Sequence, residues 1–521
     1  MQFKRSLGTL SLLLAAVGGI VGSGWLLGPL YAAKFAGPAA TLSWILGGFL
    51  MMIIALTFAE LASAFPLTGG TVRFLQLSHG QLVSFSMAWI GWLASVAVAP
   101  IETMALLHYA DSYLPWLMHT SGDTPLLTHS GLVVAAALLL LLCVINSIGV
   151  QLLAKANSFI VILKLLVPIA TAIIISYSSF HIENFTSHGF LPSGFKGLLA
   201  ALPSAGVIFS FIGYSPAIQL AGEAKNPQKS IPIAIIGGLS LCIVLYVLLQ
   251  FSFIGALAPS SFATGWSQVH FAGDVGPFAG LALALGLSFL AKVLFVDAAV
   301  SPYGTALIYT ASAARMCYAM GKNGFLPQSL LKLNRYGIPS RIIILNYLIG
   351  LLLFLPFPTW QNMMSFLVSS LVLAYAVGPL ALISLRKALP DHPRPFLLPI
   401  PRCISLIAFY ICNLIIFWTG WTVISKMLIA IAIGYLLLFT VDRSKHGHSL
   451  HLSWGQNWWM FLYIALLGIT TYLGSFNGGI DVLHFGWDFV AVFVVSTLIF
   501  LLSQHYTQDT DTVKALIREL E

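Results

Sequence analysis

Fourteen apolar runs, each about 20 residues or longer and so able to cross a hydrocarbon core, follow one another along this chain. They fall near 9–35, 38–63, 82–109, 131–149, 156–178, 197–221, 231–257, 278–314, 341–357, 361–385, 403–422, 424–441, 456–474 and 486–503. A water-soluble fold has no use for so many. Only 8% of the 521 residues are charged, where soluble proteins carry about 25%. The sequence therefore specifies an all-α polytopic membrane protein with about 14 transmembrane helices.

The net charge of +8 is not a nucleic-acid signal, because the basic residues are sorted by side. Of the 24 lysines and arginines, only Lys34, Lys196 and Lys426 fall on the side opposite the amino terminus. Lys164 and Lys292 lie inside apolar runs, and all the others share the amino-terminal side. The positive-inside rule places both termini in the cytoplasm, with an even span count, in the plasma membrane. The run after Lys4-Arg5 is too long, and is followed by too many spans, to read as a cleaved leader.

Other chemistries find little support. The five cysteines, Cys143, Cys242, Cys317, Cys403 and Cys412, are odd in number and lack paired-ligand spacing. They read as small buried apolar residues. No Walker-type loop occurs, and the connection near 315–340 is too short for a nucleotide-binding domain. The stretch from His446 to His451 reads as a solvated loop rather than a metal site. No catalytic cluster, cofactor or nucleic-acid partner is expected; the expected partners are an amino acid, protons and the lipid bilayer.

Backbone irregularity at mid-span is the informative signal. The first run contains Gly18-Gly19-Ile20-Val21-Gly22-Ser23-Gly24, poor material for a continuous helix. The sixth reads Phe209-Ser210-Phe211-Ile212-Gly213-Tyr214-Ser215-Pro216, whose proline removes a donor. Interrupted spans in corresponding positions suggest two inverted halves of a secondary transporter. Freed N–H groups suit a carboxylate and freed carbonyls suit an ammonium, so an amino acid zwitterion answers both. The glycines could instead serve close helix packing.

Four segments carry a family resemblance. They are Gly22-Ser23-Gly24, the stretch Ala59 to Gly70, the stretch Gly222 to Pro232 (GEAKNPQKSIP), and Arg315 through Gly324-Phe325-Leu326-Pro327. The chain resembles the amino acid–polyamine–organocation superfamily of permeases, and within it the bacterial aspartate–proton symporters. The resemblance implies a LeuT-like core of five plus five helices with broken helices 1 and 6. That core would span residues 1–385, with repeats at about 9–178 and 197–385, four peripheral helices at 386–503 and a cytoplasmic tail at 504–521. It also implies that Gly22, Ser23 and Gly24 offer N–H groups to the substrate carboxylate. Carbonyls of Ile20 and Val21, with those around Phe209, would take its ammonium. Phe209 occupies the place of a gating aromatic, and Gly213 lies in the second break.

Intramembrane charges are costly enough to imply function. Lys164 sits deep in Ile160–Pro168 and resembles the fifth-span lysine of proton-coupled relatives, which stands where sodium-coupled ones bind a cation. There it would bridge carbonyls of the first break and a hydroxyl of span 8. Ser301 and Thr305, four apart on one helix face, both offer that hydroxyl. Asp297 is a candidate proton site or lysine counter-ion, and Glu102, late in span 3, is a second carboxylate candidate whose alternative is a pair with His108. Glu60 and Glu223 belong to motifs near the cytoplasmic face and read as inner-gate or structural residues. No arginine lies inside any span to clamp a second carboxylate, so acidic specificity rests on resemblance. The expected function is proton-coupled amino acid uptake, of acidic substrates such as aspartate; the alternative is an exchanger of neutral amino acids or amines.

Overall fold

A computed structural model describes residues 7–66, 70–121, 124–148, 151–273, 276–444, 452 and 454–520. The histidine stretch from His446 to His451 and the 67–69 part of the second family-like segment lie outside the described residues. The helices run in the order α1 (Thr9–Ile20), α2 (Gly24–Ala36), α3 (Ala40–Ala64), α4 (Gly70–His79), α5 (Gln81–Asp111), α6 (His129–Ile148) and α7 (Gln151–Ser178). Next come α8 (Gly194–Ser204), α9 (Ser215–Gln219), α10 (Pro227–Ala256), α11 (Pro277–Ala284), α12 (Ser288–Lys322), α13 (Ser340–Leu353), α14 (Trp360–Tyr375) and α15 (Val377–Ala388). The last are α16 (Pro401–Thr419), α17 (Trp421–Ser444), α18 (Trp458–Leu473), α19 (Trp487–His505) and α20 (Thr510–Leu520). One departure from an all-helical chain is a small antiparallel hairpin, β1 (Met118–Ser121) against β2 (Thr124–Leu127), with Met118 opposite Leu127. It uses the polar connection between α5 and α6.

Among the described residues ten helices are long and apolar enough to cross a membrane, or eleven if one bent pair counts as a single span. That is fewer than the fourteen apolar runs, for local reasons. The first run is cut by its glycines. The ninth and thirteenth give helices of only 14 and 16 residues, ending just before Pro356 and Gly474. The apolar stretch of α5 is buried throughout, and that of α14–α15 nearly so. By contrast α6, α7, α17 and α19 present Val133, Leu140, Ile162, Ile173, Leu436 and Leu501 outward. This is the burial expected of a bundle whose outer face meets hydrocarbon. α16 packs not only on α19 but also on α3, α8, α14 and α15, so it is continuous with the helices before it.

Both interruptions are present, and they touch. α1 stops where Val21 turns extended (φ −85°, ψ 90°), and α2 starts three residues later. The second break lies earlier than Pro216 implies. α8 ends at Ser204, the chain passes Gly206 at φ 91°, and beyond a 43° bend from α8 a tight 3-10 turn over Phe209–Tyr214 runs on into α9. Pro216 is accommodated in the first turn of α9, where a missing N–H costs nothing. Gly213 lies against the backbone of Gly19, so close that a β-carbon at Gly213 would overlap the Gly19 carbonyl. It is therefore a packing contact between the two breaks.

At one end of the bundle the GEAKNPQKS segment pairs with the start of the chain. Leu7 N–H donates to Glu223 O at 3.0 Å and Lys225 N–H to Leu7 O at 2.9 Å. Glu60, fully buried at the same end, accepts from Arg386 Nε (2.7 Å) and Nη2 (2.6 Å) and from Leu398 N–H (2.8 Å), with Arg394 at 3.7 Å. It ties α3 to α15 and to the segment before α16. Gly213→Val should force the two breaks apart and cost about 1–3 kcal/mol. The check is a lowered thermal midpoint of the purified protein, with Gly237→Ala, which meets only the end of Leu13, as a neutral control.

Candidate functional site

The last turn of α1 leaves carbonyls without helical partners, which inside a membrane must find others. Three carbonyls at this end have a side-chain donor, each from a different helix. Gly18 O accepts from Lys164 Nζ of α7 at 3.1 Å, Ile20 O from the Tyr246 hydroxyl of α10 at 3.1 Å, and Val21 O from Thr305 Oγ1 of α12 at 3.3 Å. The Ile20 and Val21 carbonyls assigned to a substrate ammonium thus already hold internal donors. Lys164 Nζ also donates to Thr305 Oγ1 at 2.6 Å, and the lysine is 1% exposed. One ammonium therefore links α1, α7 and α12.

On the other side of the break the exposed donors meet α5. Ser23 N–H donates to Glu102 Oε2 at 2.8 Å, while Gly22 N–H bonds back to Ile20 O at 3.1 Å. Glu102 is fully buried, and its Oε1 has no hydrogen-bond partner among the described residues. That oxygen lies against Gly22, where any β-carbon would collide with it. Two of the N–H groups suited to a substrate carboxylate are therefore engaged within the chain, one of them by a carboxylate.

The other candidates divide. Thr305, not Ser301, meets the lysine; Ser301 Oγ is buried and unpartnered among the described residues. Asp297 is buried with an unpartnered Oδ2 and forms no described ion pair with Lys164. His108 is buried near the end of α5, and its Nε2 has no described partner, so it does not pair with Glu102. Phe209 stands at the second break with its ring edge-on to Trp360 (6.0 Å, 88°). Trp360 Nε1 donates to Ser23 Oγ at 3.3 Å, and its ring stacks on Tyr31 at 5.6 Å. Gly24 faces Ser210 of the second break, leaving no room for a β-carbon.

Trp360, Tyr246 and Ser210 carry no signal in the sequence: each is one aromatic or hydroxyl among many in apolar runs. A slender cavity of about 20 Å³, lined in part by Gly91, Ser95, Ser215, Gln219 and Tyr375, has room for roughly one water. It lies between α5, α9, α12 and α14. Larger cavities occur at the two ends, about 370 Å³ beside Lys225 and His392 and about 570 Å³ beside Lys34 and Lys196. Among the described residues no group of three or more His, Cys, Asp or Glu gathers for a metal ion.

Two interrupted apolar helices thus meet over unwound backbone, and a buried ammonium braces the first of them against α7 and α12. The amino acid permease family matches over residues 7–421. The chain belongs to that family. It is 37% identical to the glutamate/serine transporter AimA of Bacillus subtilis (strain 168), over 98% of this chain and 96% of that one. It is 34% identical to the aspartate–proton symporter of the same organism, over 97% of each. Similarity extends to the aromatic amino acid transport protein AroP of Escherichia coli (strain K12), 28% identical over 86% of this chain. The break residues of this permease thus lie within the matched region, and so do Lys164, Glu102 and Thr305.

Thr305→Val keeps the shape but removes the hydroxyl that receives the Lys164 ammonium. Leaving that buried charge short of a partner should cost about 1–3 kcal/mol. A lowered thermal midpoint that Thr305→Ser restores is the expected result.

Proposed function

We propose that this permease is a proton-coupled symporter that carries amino acids across the plasma membrane by alternating access, on a LeuT-like core. In this reading α1–α7 and α8–α15 form the two inverted repeats, each opening on an interrupted helix, α16–α19 flank them, and both termini face the cytoplasm. The observation that carries the reading is the Lys164 ammonium bonded at once to Gly18 O and Thr305 Oγ1. A fixed positive charge there does the work of a bound cation. It holds the unwound segment in register with α7 and α12, and it can be switched by a proton.

The chemistry follows from donor counting at Ser23. Its N–H serves Glu102, yet it is also a donor placed to receive a substrate carboxylate at the positive end of α2. Two carboxylates cannot share one N–H in a buried site without repulsion. A protonated Glu102 is a weaker acceptor and carries no charge, so proton uptake and substrate binding favour each other there. Ring movement at Phe209, Trp360 and Tyr31 would then open or close the path from the end that bears Lys34. The similarity to a glutamate/serine transporter and an aspartate–proton symporter favours acidic or small polar amino acids as substrates. An exchanger with the same core is the rival, and it requires internal substrate.

In proteoliposomes without internal amino acid, an inward proton gradient should drive accumulation of glutamate, aspartate or serine. Lys164→Ala should reduce gradient-driven uptake to background. Glu102→Gln, a neutral isostere, should leave binding but make uptake insensitive to the gradient. A strict need for internal amino acid in the wild type would favour exchange, and proton-driven accumulation by Lys164→Ala would overturn the coupling role.

A further inference from the structure

Few of the described cations lie at one end of the bundle, and two of them share a single cavity. Lys34 of α2 and Lys196 of α8 both line the 570 Å³ space between α2, α8, α14 and the corner joining α16 to α17. Another, Lys426, is engaged with Pro356 O at 2.7 Å. Such a volume falls in the range of small-molecule sites. Its lining adds the amides of Gln361 and Asn477, and contains no aspartate or glutamate.

One further observation points to an anionic occupant. Lys196 Nζ lies 5.6 Å from the centroid of the Phe476 ring, which also lines the cavity, so an aromatic face helps to steady its charge. Asp488 at the start of α19 is near enough to act on Lys196. It does not line the cavity, however; its Oδ1 is held by the N–H groups of Gly486 and Phe489, and its Oδ2 is enclosed away from the space. Two ammonium groups and the side-chain amides, on a wall without carboxylates, are a set that a carboxylate would satisfy.

The cavity also stands in the right place. Lys34 is one helical turn beyond Tyr31, Gln361 follows Trp360, and lining residue Ser204 ends α8 just before the second break. The Tyr31–Trp360–Phe209 layer therefore separates this cavity from Ser23 and the first break.

We infer that this cavity is an antechamber that captures anionic amino acids, with Lys34 and Lys196 receiving the side-chain carboxylate ahead of the aromatic layer. Resting on the transport reading, this assigns a preference for acidic over neutral substrates to residues outside the buried core, which contains no arginine among the described residues. The two positive charges raise the local concentration of an anion and leave a zwitterion nearly unaffected.

The test uses the purified full-length protein in proteoliposomes, with radiolabelled glutamate and serine as probes. Lys34→Gln/Lys196→Gln should raise KM for glutamate about tenfold, with kcat and the serine KM unchanged. Lys34→Arg/Lys196→Arg should retain the wild-type glutamate KM, and raised salt should weaken glutamate uptake only where the charges remain. A monodisperse size-exclusion profile confirms folding of each variant. The inference is overturned by an unchanged glutamate KM in the glutamine pair, or by equal losses in the glutamine and arginine pairs. A wild-type protein that takes up serine but no acidic amino acid also overturns it, and leaves the permease reading standing. Absence of uptake of all twenty amino acids removes both.

Discussion

A helix interrupted inside a membrane must find a partner for every peptide group it sets free, because no water is there to supply one. At the end of α1 this requirement recruits three other helices. Gly18, Ile20 and Val21 present carbonyls, and Lys164, Tyr246 and Thr305 answer from α7, α10 and α12. Burial of a lysine follows from the same requirement. Its cost is offset because the ammonium spends its donors on groups that would otherwise be orphaned.

Function is a consequence of this economy of partners. The unwound segment is held on one side by a cation and on the other by the Glu102 carboxylate at Ser23. In the transport mechanism we propose, a ligand that brings its own carboxylate competes with Glu102, and a proton changes the terms of that competition. Both ionisable groups belong to long helices, α7 and α5, each packed against α12. A change in either charge is thereby felt along elements that reach from one end of the bundle to the other. The aromatic layer at Trp360 is bonded to the same Ser23, so the break and its cover are coupled through one residue.

Much of this was legible in the residues, and the remainder was tertiary. Four glycines between Gly18 and Gly24 mark the first interruption because backbone propensity alone disfavours helix there. Pro216 pointed to a break too late in the sixth run, since a proline tolerated in the first turn of α9 looks the same on paper as one that breaks a helix. Ser301 and Thr305 share a face, and only packing chooses Thr305 for the lysine. Lys164 and Glu102 stood out as charges in apolar runs, but Glu102 meets Ser23 across 79 positions of sequence, which no local pattern encodes. Tyr246 and Trp360 are invisible in the sequence, where a tyrosine that caps a freed carbonyl resembles one that merely fills space.

The most direct measurement of the shared donor at Ser23 is substrate-induced infrared difference spectroscopy on the reconstituted protein. Adding a transported amino acid should produce a protonated-carboxyl band as Glu102 releases the Ser23 N–H and takes up a proton, and Glu102→Gln should abolish that band. Saturation with substrate without any change in a carboxyl band would contradict the account.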